Sequence, residues 1–116
     1  AKKAARRWRE EASAWEKKAQ RFLAAEVSLD MKRAAEVNSL LMDVERAMTE
    51  EEGLKSRPFF KHLIFAPQPT YRKELLPRIF EAIKAKEWDD IPRYEDQLVR
   101  AFDRAFRLIE QAARRL

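Results

Sequence analysis

The 116-residue sequence has no cysteine, which rules out a disulfide framework and a thiolate metal site and leaves the redox compartment open. It has one glycine, Gly53. Tight hairpins draw on glycine for positive φ, so a β-rich fold would need several more, and a phosphate-cradling glycine loop is excluded. It has one histidine, His62. Zinc sites lean on histidine, and neither a His-Glu-x-x-His motif nor the Glu-x-x-His pair of bundle di-iron sites occurs. A nucleophile–base–acid arrangement would have Ser13, Ser28, Ser39 or Ser56 to draw on, with that one histidine to share. No apolar stretch approaches the roughly 18 residues that span a bilayer, and the start lacks the uninterrupted apolar core of a signal peptide. The expectation is a chain with no active site, metal, cofactor or membrane segment of its own.

Hydrophobic residues make up 46% and charged residues 39%, too apolar for intrinsic disorder and too charged for a lipid-embedded chain. A chain of this length has room for one domain and one core. It begins at Ala1, already inside a helix-like pattern, and so reads as a fragment of a larger protein.

The apolar pattern is helical. Ala5, Trp8, Ala12, Trp15, Ala19 and Phe22 alternate steps of three and four, the signature of one buried stripe, and predict a helix over about 2–25. At this spacing the two tryptophans read as core rather than as stacking platforms for bases. Ser28 is the candidate N-cap of a second helix over about 29–51, with Asp30 near its positive end. Its stripe is Ala34, Val37, Leu41, Val44 and Met48, widened by Leu40 and Ala47, and Gly53 is its expected terminator. From Leu54 to Thr70 the helical period is lost. Pro58, Pro67 and Pro69 surround the apolar run Leu63, Ile64, Phe65, so an extended, ordered crossover is expected.

A third helix is predicted over about 71–86, with Leu76, Ile79 and Ile83 on one face, Leu75 and Phe80 beside it, and Pro77 tolerable in its first turns. Trp88 to Pro92 turns the chain into a last helix over about 92–115. That helix carries two apolar rows, Tyr94, Leu98, Ala101, Ala105, Leu108, Ala112 and Val99, Phe102, Phe106, Ile109, Ala113, Leu116. A face so wide implies a central position or a second protein surface, making Phe102, Phe106, Ile109 and Ala113 candidates for a dimer contact. The expected fold is all-α, a four-helix bundle with a long proline-containing crossover between helices 2 and 3.

The net charge is +5, with Lys2, Lys3, Arg6, Arg7 and Arg9 bunched at one end. Acidic residues are interspersed elsewhere, so a solvated helix surface is the first reading and a nucleic-acid or anionic-surface contact the second. His62, between Lys61 and Leu63, reads as a half-buried histidine bonded to backbone rather than as a catalytic group.

The segment Gly53-Leu54-Lys55-Ser56-Arg57-Pro58-Phe59-Phe60-Lys61-His62-Leu63-Ile64-Phe65-Ala66-Pro67 resembles Gly-Leu-Pro-x-Arg-Pro-Phe-Tyr-Arg-His-Val-Ile-Tyr-Ala-Pro of the glutamate carboxypeptidases, the prostate-specific membrane antigen-like zinc peptidases. Leu41-Met42-Asp43-Val44-Glu45-Arg46-Ala47 is similar to their Leu-Met-x-Leu-Glu-Arg-Ala, and Leu76-Pro77-Arg78-Ile79-Phe80-Glu81-Ala82 to their Phe-Pro-Gly-Ile-Tyr-Asp-Ala. The resemblance covers most of the chain and implies the helical, transferrin receptor-like dimerisation domain that follows a di-zinc aminopeptidase-like domain and a protease-associated domain. It implies a homodimer, contact with the peptidase domain of the same parent chain, and zinc ligands and catalytic glutamate that lie outside this chain. Some relatives have lost catalysis and serve as receptors. The family's crossover also reaches the catalytic cleft, where a Lys-Tyr pair holds a substrate's terminal glutamate. Counting back from Pro77, the tyrosine falls on Tyr71 and the lysine position on Thr70, in a loop a few residues shorter than the family's. A threonine hydroxyl replaces a charge-assisted bond weakly, so a reduced preference for acidic terminal residues is implied.

Overall fold

The computed structural model describes residues 2–25, 30–67 and 73–116. It is mostly helical: α1 (Lys2–Ala24), α2 (Met31–Arg46), α3 (Pro77–Ala85) and α4 (Ile91–Arg114), with two short strands, β1 (Phe65–Pro67) and β2 (Lys73–Leu75), between α2 and α3. Contacts gather the chain into two compact units, Lys2–Ala47 with Phe102–Leu116, and Met48–Ala101. The second exists because the crossover is apolar enough to gather a core of its own, with Leu54, Leu63 and Ala66 buried.

In the first unit, Trp8 on α1 meets Phe102 edge-on at 5.3 Å and lies 5.2 Å from Phe106, between ring centroids. These rings fill the gap between helices, and the α1 stripe from Trp8 to Phe22 is half-buried while Ala5 stays exposed. On α2 the expected stripe turns inward, with Val37 buried. Its N-cap is Asp30, whose carboxylate accepts the Arg33 backbone N–H at 2.7 Å, while Ser28 lies outside the described residues. Its last turn is closed by Arg104, which donates to the Ala47 carbonyl at 2.9 Å.

Helix α2 stops at Arg46, five residues before the expected end. Backbone groups beyond it pair with the crossover instead: Leu63 N–H donates to Met48 C=O at 2.8 Å and Glu50 N–H to Lys61 C=O at 3.1 Å, around a Thr49–His62 bridge. Gly53 is therefore not the terminator. Its φ is not positive; a Cβ there would overlap the Pro58 carbonyl and lie 2.8 Å from Pro58 Cα, so glycine is required by a close backbone approach.

The third helix begins at Pro77 rather than at residue 71. A proline disfavours αR in the residue before it, and Leu76 sits in the left-handed region at φ 49°, so the helix cannot run through this point. The preceding residues form β2, antiparallel to β1, with Phe65 opposite Leu75, Ala66 opposite Glu74 and Pro67 opposite Lys73. A left-handed Lys86 closes α3, and a single 3-10 turn, Trp88–Asp90, leads into α4.

Candidate functional site

Arg57 organises the unit Met48–Ala101. Backbone bonds from Arg57 N–H to Leu54 C=O at 3.1 Å and from Phe60 N–H to Arg57 C=O at 3.0 Å set the turn that aims its side chain at the β1–β2 pair. The guanidinium donates to Pro67 C=O at 2.5 Å and to the Glu74 carboxylate at 2.8 Å, and stands 3.8 Å from Glu81 on α3. It also lies over the Phe60 ring at 5.2 Å. One cation thereby holds the last residue of β1 and the middle of β2, the two sides of residues 68–72. Ser56 Oγ donates to Glu81, which fixes that carboxylate as well.

Lys55 donates to Glu87 at 2.8 Å and Asp90 at 2.7 Å. The bonds to Asp90 and then Glu87 raise the Lys55 ammonium pKa above its ordinary value, and the bond from Lys55 lowers the Asp90 carboxyl pKa. An open concavity of about 430 Å³ is lined by Lys55, Ser56, Glu81, Lys84, Ala85 and Glu87. Its walls carry both signs, four of these groups engaged with one another: Lys55 with Glu87 and Ser56 with Glu81.

His62 is half-buried and structural. Its Nδ1 accepts the backbone N–H groups of Ile64 at 3.1 Å and Phe65 at 3.3 Å, and its ring stacks on Phe65 at 5.0 Å. This leaves Ser56 paired with a glutamate and the histidine engaged with backbone, so these two do not meet. Among the described residues no group of three or more His, Asp or Glu stands close enough to hold a metal ion. No helix among them is long and apolar enough to cross a membrane.

Thr70 and Tyr71, the residues assigned to a substrate pocket, lie outside the described residues. Phe102 and Ala113 are half-buried, but Phe106 and Ile109 are core side chains, because the Trp8 ring and the packing of their own unit take up that row of α4. What pattern reading missed is the polarity of the other unit. Glu74 and Arg78 are 6% and 5% exposed, whereas Phe65, Leu75, Phe80 and Ile83 are 50%, 64%, 41% and 47% exposed. Arg78 donates to Gln97 at 2.9 Å and stands over the Tyr94 ring at 5.9 Å. Its Nη2 has no protein partner, beside a cavity of about 10 Å³ lined by Leu63, Tyr94 and Leu98, room for one water. Of the predicted face, Ile79 is half-buried and Ile83 exposed. The buried side of α3 is instead Arg78 and Ala82, and the small Ala82 is the one signal that could have pointed to it.

A profile of the transferrin receptor-like dimerisation domain matches residues 1–110, and the chain belongs to that family. Two curated relatives from Arabidopsis thaliana are similar to it. The probable glutamate carboxypeptidase LAMP1 is 40% identical over 53 residues, which cover 44% of this chain and 8% of the relative. The probable glutamate carboxypeptidase AMP1 is 33% identical over 78 residues, 65% of this chain and 11% of the relative. The chain thus spans about a tenth of the length of these relatives.

Proposed function

We propose that this chain is the non-catalytic dimerisation domain of a glutamate carboxypeptidase-like zinc metallopeptidase, its four helices arranged as a bundle that pairs with a second copy. The observation that carries the reading is the family match over residues 1–110, joined by two relatives named as probable glutamate carboxypeptidases. Zinc and the reacting groups belong to the parent's peptidase domain, and the crossover contributes Thr70 and Tyr71 to the border of its substrate pocket. Light scattering of the purified chain tests the assembly role, with a mass near twice 13.8 kDa expected and a monomer at all concentrations counting against it. Assaying the intact parent on peptides ending in Glu and in Leu tests the pocket role; a strong preference for Glu would contradict the reading of Thr70.

A second reading, a basic helical surface for nucleic acid or anionic lipid, draws on the distribution of charge. Residues 2–47 and 102–116 hold fifteen Lys/Arg against ten Asp/Glu, while residues 48–101 hold ten of each, so the whole +5 falls on one unit. Such binding would collapse with added salt, and absence of any shift with DNA, RNA or anionic vesicles at about 50 mM salt would remove it.

A further inference from the structure

Among the described residues, Arg78 carries a buried side-chain nitrogen, Nη2, that no protein group meets. The residue sits in the first turn of α3 and is 5% exposed. It stands where the stretch it resembles has glycine, so its guanidinium and whatever satisfies it belong to this chain rather than to that motif. The other side of the guanidinium is fully engaged. Nη1 donates to Gln97 on α4 at 2.9 Å and stands 3.6 Å from Glu52, which follows α2. Glu52 also accepts from Arg93 at 3.3 Å, and the Arg78 guanidinium lies over the Tyr94 ring. Nη2 has two N–H groups to place and none of these partners. A charged donor left unmade in the interior costs more than ordering a water to accept from it.

We propose that the small cavity beside Arg78 binds one water molecule, and that Arg78 and this water complete a polar pin joining α3 to α4 and to the segment after α2. Size selects the ligand. The cavity holds about 10 Å³, close to a single water, and Leu63, Leu76, Ile79 and Leu98 wall it, so a carboxylate or a phosphate has no room. Charge points the same way. Glu52 already serves as the counter-ion of Arg78, and a second anion would meet it as a like charge, so a neutral acceptor suits the place. Two further residues lining the cavity have bonding capacity to spare. The Tyr94 hydroxyl accepts from Arg93 at 3.3 Å and keeps its own proton to give, while the Leu76 carbonyl accepts the Phe80 N–H at 3.0 Å and keeps a second lone pair. With Arg78 they offer the two to four bonds that a buried water ordinarily makes.

A crystal structure of the chain that shows ordered solvent, together with water–protein Overhauser spectroscopy, tests the site. The wild type should show one solvent peak about 2.7–3.2 Å from Nη2 and cross-peaks between a long-lived water and the Leu63 and Leu98 methyl groups. Arg78→Met removes the donor and leaves an apolar cavity that stays dry, so both signals should vanish and relaxation dispersion should count one long-lived water fewer. The wild-type measurement decides the matter on its own should Arg78→Met fail to fold. A wild type with Nη2 bonded to a protein group and no solvent peak overturns the proposal. Cross-peaks that persist in a folded Arg78→Met overturn the role of Arg78. An anomalous peak at the site from crystals grown in bromide shows an anion in place of a neutral ligand and overturns the assignment of water.

Discussion

The two units solve the same packing problem in opposite ways. In the unit Lys2–Ala47 with Phe102–Leu116, α4 turns Ala105, Phe106, Ile109 and Ala112 inward and leaves its arginines outside. In the unit Met48–Ala101, Glu74 and Arg78 are inside and Phe65, Leu75, Phe80 and Ile83 outside. In one unit the apolar stripe is satisfied by its own helices, whereas in the other a buried carboxylate is held by Arg57 while an apolar stripe stays partly in solvent.

The contrast can be broken at matched residues. Phe106→Ala should destabilise the chain by about 3–5 kcal/mol in a denaturant titration, since the ring is fully buried against Trp8 and a cavity replaces it. Phe80→Ala, the same truncation on the exposed stripe, should change the stability of the monomer by less than about 0.5 kcal/mol. Equal losses at the two positions would erase the distinction. Arg57→Ala follows, with a loss of about 3 kcal/mol, because it strands the buried Glu74 carboxylate and releases the Pro67 carbonyl. Hydrogen exchange should show that loss concentrated at β1 and β2.

Smaller effects sharpen the comparison. Asp30→Ala removes the cap of α2 and should lower stability by about 1 kcal/mol, read as increased exchange in the first turn of that helix. Lys55→Ala should lower the melting temperature slightly. The depressed Asp90 pKa makes its share of stability present above the ordinary carboxyl range and lost as pH falls through the folded value; the raised Lys55 pKa makes its share present below the ordinary lysine value and lost as pH rises through the folded one. The difference from wild type should therefore be flat between about pH 5 and 9 and fall away in acid as Asp90 is protonated.

Helices α1, α2 and α4 were legible because their apolar residues keep a strict period over many turns, and the irregular crossover because its prolines and lost period mark it. The ends were less so. Helix α2 stops early because Met48 and Glu50 find backbone partners across the crossover, a long-range pairing no local pattern announces. Pro77 was read as tolerable inside a helix start when it is the start, its influence on Leu76 outweighing the apolar pattern upstream. His62 was placed correctly as a backbone-bonded side chain. The burial of Phe106 and the exposure of Phe80 were not legible, because periodicity identifies which residues share a stripe and not which molecule covers it.

Hydrogen–deuterium exchange of the chain above and below its dissociation concentration tests the central claim most directly. If two copies of the chain pair, one contiguous set of backbone amides loses protection on dilution while the rest do not change. Protection that is the same at every concentration would contradict it.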